Sequence, residues 1–121
     1  MANTFKCVTL AAEPASAGTP YVMYTVATST TTVVLGLILT NIHTTSVTAE
    51  VELVSTTANR GGANKVANTP SFLAKDVSVP SATSLELLSG GKVVLETGDK
   101  IQIDCSVADK ISGSLSIMEI T

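Results

Sequence analysis

Between Leu73 and Ile103 the chain reads LAKDVSVPSATSLELLSGGKVVLETGDKIQI. Short runs of Val, Ile, Leu and Thr are cut by Ser89-Gly90-Gly91 and by Thr97-Gly98-Asp99. β-Branched side chains suit a pleated surface, and glycine supplies the positive φ that tight connections need. Residues 83–88, 92–96 and 100–105 therefore read as successive strands joined by turns. The same grammar fills most of the chain, and no segment reads as a helix.

Strands are expected at 4–10, 21–27, 33–40, 46–54, 71–79, 83–88, 92–96, 100–107 and 112–120. The clearest is 46–54, where Val47, Ala49, Val51 and Leu53 alternate with Thr48, Glu50 and Glu52, the period of a half-buried strand. In the first strand Phe5 and Cys7 share one face, with Val8 and Leu10 on the other. Tyr21, Met23 and Thr25 alternate in the same way against Val22, Tyr24 and Val26. The apolar run Val33–Leu39 suits a strand buried on both sides, and Gly36 within it suggests a bulge or a close backbone approach. That run is far short of the roughly 20 residues a membrane-spanning helix needs. Pro80 ends the strand before it, because proline cannot donate to a ladder. About eight or nine strands with short connections predict one all-β domain over residues 1–121, an antiparallel β-sandwich of jelly-roll or Greek-key type.

Two segments stand apart from this pattern. Residues 11–20, AAEPASAGTP, read as a flexible loop or arm bracketed by prolines. Residues 56–70, TTANRGGANKVANTP, form the longest stretch without periodicity, and loops of that length in compact domains tend to be either functional or disordered. Asn59, Arg60, Asn64, Lys65 and Val66 in that loop are the candidate contacts to neighbouring subunits.

Charged residues make up only 14% of the chain, and 18 Thr and 13 Ser supply the remaining polarity as neutral hydroxyls. A surface so poor in charge is weakly protected against association, which suits an exterior covered by other subunits, although Ser and Thr are equally ordinary as solvent-facing strand residues. The net charge is −3, and the 7 basic residues are scattered singly. Direct nucleic-acid binding, which needs clustered Lys and Arg against phosphates, is not expected. The start MANTFKCV lacks the basic, then apolar, pattern of a secretory signal. Cys7 and Cys105 lie near opposite ends, where two neighbouring terminal strands could bring them together. Cys105 continues the inward face of Ile101 and Ile103, which favours an inert core thiol.

The residues that usually carry chemistry are sparse. His43 is the single histidine, placed in the turn Asn41–Thr45, and reads as a solvated turn residue. With one histidine and two distant cysteines no zinc site is expected. No nucleophile elbow or phosphate-binding glycine loop occurs, since Gly91-Lys92-Val93 breaks the latter at its last position. Glu50 and Glu52 could act as paired acids on an outward face, but the plainer reading is two solubilising positions. Asp99, Asp104 and Asp109 are not gathered on one loop, as a calcium site would require. Asp99 follows Gly98, where its side chain caps the turn. Aromatic residues amount to 3%, with no Trp, too few for a stacking platform. No catalytic residue, cofactor or metal is expected, and the chain does not read as an enzyme.

The stretch Tyr24–Asn41, YTVATSTTTVVLGLILTN, and the segment from Asp76 to Ile103 with its LLSGGKVVLETGDKIQI core resemble a family of small virion proteins of tailed bacteriophages, cyanophages among them. The final Ser116-Ile117-Met118-Glu119-Ile120 matches the end of that pattern. The likeness covers roughly residues 21–120, and its motifs are structural turns rather than catalytic signatures. It implies a non-enzymatic structural role in the virion, after synthesis in the host cytoplasm. The implied partners are other virion proteins, the major capsid protein or the neck and tail proteins, with no membrane. A capsid decoration or cement protein is the first expectation, as a homo-oligomer, with a trimer suiting three-fold junctions. A neck or tail accessory protein is the alternative. A host-recognition module is the third reading, disfavoured by the absence of aromatic residues from 56–70.

Overall fold

The computed structural model describes residues 2–55, 70–88 and 92–121. It contains nine strands: β1 (Asn3–Glu13), β2 (Tyr21–Thr25), β3 (Thr31–Asn41), β4 (Val47–Val54), β5 (Pro70–Val79), β6 (Ser84–Leu87), β7 (Val93–Leu95), β8 (Lys100–Cys105) and β9 (Ile111–Ile120). None of the described residues is helical.

The strands form two antiparallel sheets. One runs β1-β9-β3-β6, with β7 also paired to β3, and the other runs β2-β8-β4-β5. β9 takes one side of β3 along its whole length. β6 pairs with Leu37–Thr40 and β7 with Thr32–Val34, so together they act as one interrupted edge strand on the other side. The pairs β4–β5, β3–β6/β7, β2–β8 and β1–β9 are therefore nested around one another. The chain is a long antiparallel hairpin rolled into a sandwich, the jelly-roll order.

Apolar residues from both inner faces fill the space between the sheets. Val34, Leu37, Leu39, Leu95, Ile111, Leu115 and Ile117 meet Val47, Ala49, Val51, Val79, Ile101 and Ile103, all buried. Each of the Val, Leu and Ile side chains among them contributes about 1.5–3 kcal/mol relative to exposure. Period-two alternation is the sequence signature of this arrangement, because successive side chains leave a strand on opposite faces.

Several local expectations are corrected here. The run Val33–Leu39 is buried on one face only, since Ile38 is 42% exposed while Val34 and Leu37 are inside. The register with β9 shifts between Val34 and Gly36, the bulge that the glycine suggested. A second shift, between Val22 and Tyr24 on β2, breaks the expected alternation there. Tyr21 pairs with Ile103 and Tyr24 with Ile101, so both tyrosines lie on the inward face rather than on opposite faces. Glu52 is buried rather than solvent-facing, and its carboxylate accepts a short hydrogen bond from the Gln102 amide on the neighbouring strand.

Residues 11–20 are not a free arm. β1 continues through Ala11 to Glu13, the latter paired with Ile111. Beyond it the Pro14 carbonyl accepts from the Asp109 amide at 2.8 Å, and the Gly18 amide donates to Asp104 Oδ1 at 3.2 Å. The segment is tied to the end of β8 and to the turn between β8 and β9. Cys7 and Cys105 are both free thiols, one exposed in the first sheet and the other buried in the second.

Candidate interaction surface

The outer face of the β1-β9-β3-β6/β7 sheet is the feature with the clearest potential for recognition. Phe5 on β1 pairs with Met118 on β9, Met118 with Val33 on β3, and Val33 with Val94 on β7. Directly paired residues share a face, so four apolar side chains from four strands stand in one row. Phe5 is 71% exposed and Val94 55%. Their neighbours in sequence, Val34 and Ile117, point into the core.

Beside this row the face is hollow. The bulge at Leu35–Gly36 and the short side chains of Ser114 and Ser116 leave a shallow depression of about 340 Å³, bordered by Ile38 and Glu86. Cys7 pairs with Ser116 and so sits between Phe5 and the depression. Among the outward positions of these five strands only Glu86 is charged. The rest of the face consists of apolar groups and Ser, Thr and Asn.

The other sheet presents a carboxylate-rich hollow of about 360 Å³, bordered by Thr48, Glu50, Asp76, Asp104 and Ser106. Glu50 and Asp104 stand directly opposite on β4 and β8, a like-charge pair that must be compensated. Lys75 Nζ lies 3.0 Å from Glu50 and 3.5 Å from Asp76, and also 4.7 Å above the Phe72 ring. Lys75 draws the Glu50 carboxyl down, but burial and a hydrogen bond with Asp76 carry it on balance above its ordinary value. Asp104 Oδ1 accepts from the Cys105 and Gly18 amides. These carboxylates are already engaged in holding the fold. Among the described residues no group of three or more His, Cys, Asp or Glu could hold a metal ion.

A polar clasp joins the two sheets where β2 crosses β9. The Tyr24 hydroxyl donates to Glu119 Oε2 at 2.6 Å and shares a 2.8 Å hydrogen bond with Thr32 Oγ1. Lys6 Nζ completes the group at 2.7 Å from Glu119. Lys6 and Tyr24 together hold the Glu119 carboxyl below its usual value. Burial and then the Glu119 carboxylate push the Tyr24 phenol up to about 12. The fold thus favours the neutral phenol. Its contribution is complete below the ordinary tyrosine value near 10 and is lost as pH rises through about 12. Tyr24→Phe is expected to cost about 1–2 kcal/mol at neutral pH, since the buried Thr32 hydroxyl loses this partner. The variant should also lose part of the stability decline expected of the parent between pH 10 and 12. Denaturant titrations of both proteins across that range check this, and identical alkaline profiles would rule the clasp out.

Other expected positions fall as follows. His43 stands half-buried in the turn after β3, its amide bonded to Asn41 Oδ1 at 2.7 Å. Asp99 caps its turn, with Oδ2 accepting from the Glu96 amide at 3.0 Å. The candidate contacts Asn59, Arg60, Asn64, Lys65 and Val66 lie outside the described residues. The row Phe5–Met118–Val33–Val94 was not singled out from the sequence. Each member is an apolar residue at an outward position of its strand, and cross-strand register alone joins the four.

Compared with family models, curated proteins and solved structures, the chain finds no match.

Proposed function

We propose that this chain is a non-enzymatic structural protein of a tailed-bacteriophage virion, a decoration protein that stabilises the head by contacts with capsid subunits. The observation that carries the reading is the outer face of the β1-β9-β3-β6/β7 sheet, apolar in its middle row and charged only at Glu86. Such a face gains free energy when another protein covers it and repels no neighbour electrostatically. The likeness of residues 21–120 to small virion proteins supports the same role. Jelly-roll sheets recur in capsid domains and also in lectins, so the fold is compatible with the reading without deciding it. On this reading the partners are capsid subunits and further copies of the chain, and neither cofactor nor nucleic acid takes part.

Immunogold electron microscopy tests it. Antibody raised against the purified protein should label the heads of virions from the phage that encodes it, at many sites per particle. Label confined to the neck or tail would replace decoration with an accessory role there. Virions without label would overturn the structural reading.

A further inference from the structure

We infer that two copies of this chain associate face to face through the outer surface of the β1-β9-β3-β6/β7 sheet, each inserting Phe5 into the depression over the other's Gly36 bulge. The inference rests on the same face as the proposed function and names a second copy of the chain as what covers it, so a monomer in solution would overturn the inference and leave the placement on the head to the immunogold result. It replaces the trimer expected from placement at three-fold junctions with a two-fold pair.

The first argument is shape. The face carries both a projection and a hollow that do not fill one another. Phe5, 71% exposed, stands on the edge strand β1. The depression of about 340 Å³ lies two strands away, where Leu35–Gly36 bulges beside Ser114 and Ser116. A two-fold axis lying in the plane between two such faces exchanges the two features. Each aromatic side chain then enters the hollow of the other copy, the self-complementarity that an isologous contact requires. Buried aromatic anchors seated in pockets are also among the residues that carry much of the binding energy at interfaces.

Charge is the second argument. The chain as a whole is acidic, with a net charge of −3. Any face rich in that charge would repel its own copy. Here the charged residues of the strands lie on inward positions or on the other sheet, as with Lys6 paired to Glu119 and Glu50 to Lys75. Glu86 at the margin is the exception. The opposite sheet, with Glu50, Asp76 and Asp104 around its hollow, is the face a second copy would avoid.

Area is the third. Three strand columns with about five outward residues each and a fourth, β6/β7, with three, at about 4.8 Å spacing, project to roughly 600 Å². Roughened by side chains, such a face offers accessible area comparable with the roughly 800 Å² per partner of a standard interface. Two sheets stacked in this way repeat the contact that already forms the core.

Cys7 provides an internal reporter. It is exposed, flanks Phe5, and pairs with Ser116 at the border of the depression, whereas Cys105 is buried. The purified full-length protein would be examined by sedimentation velocity over a range of concentrations, with the rate of Cys7 alkylation measured in parallel. The expected result is a mass of two chains at high concentration and slower alkylation of Cys7 as the dimer forms. Phe5→Ser empties the knob and Ser116→Tyr fills the hole. Each should weaken the dimer at least tenfold and restore fast alkylation. Both positions are solvent-facing, so the unfolding midpoint of the dilute proteins should stay near the parent's. A parent that remains monomeric, a closed trimer, or a dimer indifferent to both substitutions would each overturn the inference.

Discussion

Replacing Gly113 with alanine is expected to lower the free energy of unfolding by about 2–4 kcal/mol. Gly113 lies on β9 in the middle of its sheet, opposite Leu10 on one side and Leu39 on the other. A Cβ built there meets the Ile38 carbonyl oxygen at 2.8 Å and Leu39 Cδ2 at 2.9 Å. The first contact is with backbone, which cannot swing aside as a flexible side chain would. To relieve it, β3 and β9 must separate locally, and Leu39, fully buried, must shift within a packed core. Gly36→Ala is the matched control, because no heavy atom lies within 4 Å of a Cβ at that position. It should change stability by no more than about 0.5 kcal/mol. Urea denaturation of the three proteins decides the matter. Equal stability of Gly113→Ala and the parent would mean that the sheet yields freely at its centre.

Asn41→Asp is expected to cost still more, about 3–5 kcal/mol at neutral pH. Asn41 is 1% exposed and makes three hydrogen bonds from its amide. Nδ2 donates to the Thr45 carbonyl at 3.0 Å and to the Val79 carbonyl at 2.9 Å, while Oδ1 accepts from the His43 amide at 2.7 Å. One side chain thus closes the turn after β3 and fastens the end of β3, in one sheet, to the end of β5 in the other. Aspartate has nearly the same shape, but its carboxylate has no proton to donate. It would retain the bond from His43 and face two carbonyl oxygens that have lost their donor. Burial and those oxygens disfavour ionisation, so the introduced carboxyl would titrate above the ordinary value near 3.9. Its neutral form regains one donor, so the deficit should be largest at pH 7 and shrink as the solution is acidified through that raised value. Denaturant midpoints for Asn41→Asp and the parent at pH 7 and pH 4 check both size and sign. A small deficit that does not depend on pH would show that the amide's donors are dispensable.

These two residues illustrate what could and could not be read in advance. Gly36 drew attention because it interrupts an apolar run, and a bulge does occur there. The glycine that is sterically required is Gly113, which sits in an ordinary alternation of Ser and apolar residues and carries no local signal. Asn41 was legible only as a turn residue, since its partner Val79 lies 38 residues further on. The acids behaved in the same way. Glu50 and Glu52 looked equivalent on one strand, yet Lys75 engages the first and Gln102 the second, and the second is buried. Strict period two places the tyrosines of β2 on opposite faces. One bulge between Val22 and Tyr24 brought them to the same face.

What the amino-acid order determined by itself is the class of fold. Period-two apolar alternation, β-branched runs and turn residues at regular spacing exclude helices and leave an antiparallel sandwich, because each strand must bury one face against another layer. The inward positions Val47, Ala49, Val51, Ile101, Ile103 and Cys105 follow from that alone, since side-chain alternation is a property of the single strand. The tertiary structure decided everything that depends on which strands become neighbours. It rolled the chain into nested pairs, tied residues 14–20 down, set the Tyr24–Glu119–Lys6 clasp and aligned Phe5, Met118, Val33 and Val94 into one row. Register between strands remote in sequence is fixed by the packing of the whole core and by bulges within it, and no local pattern encodes it.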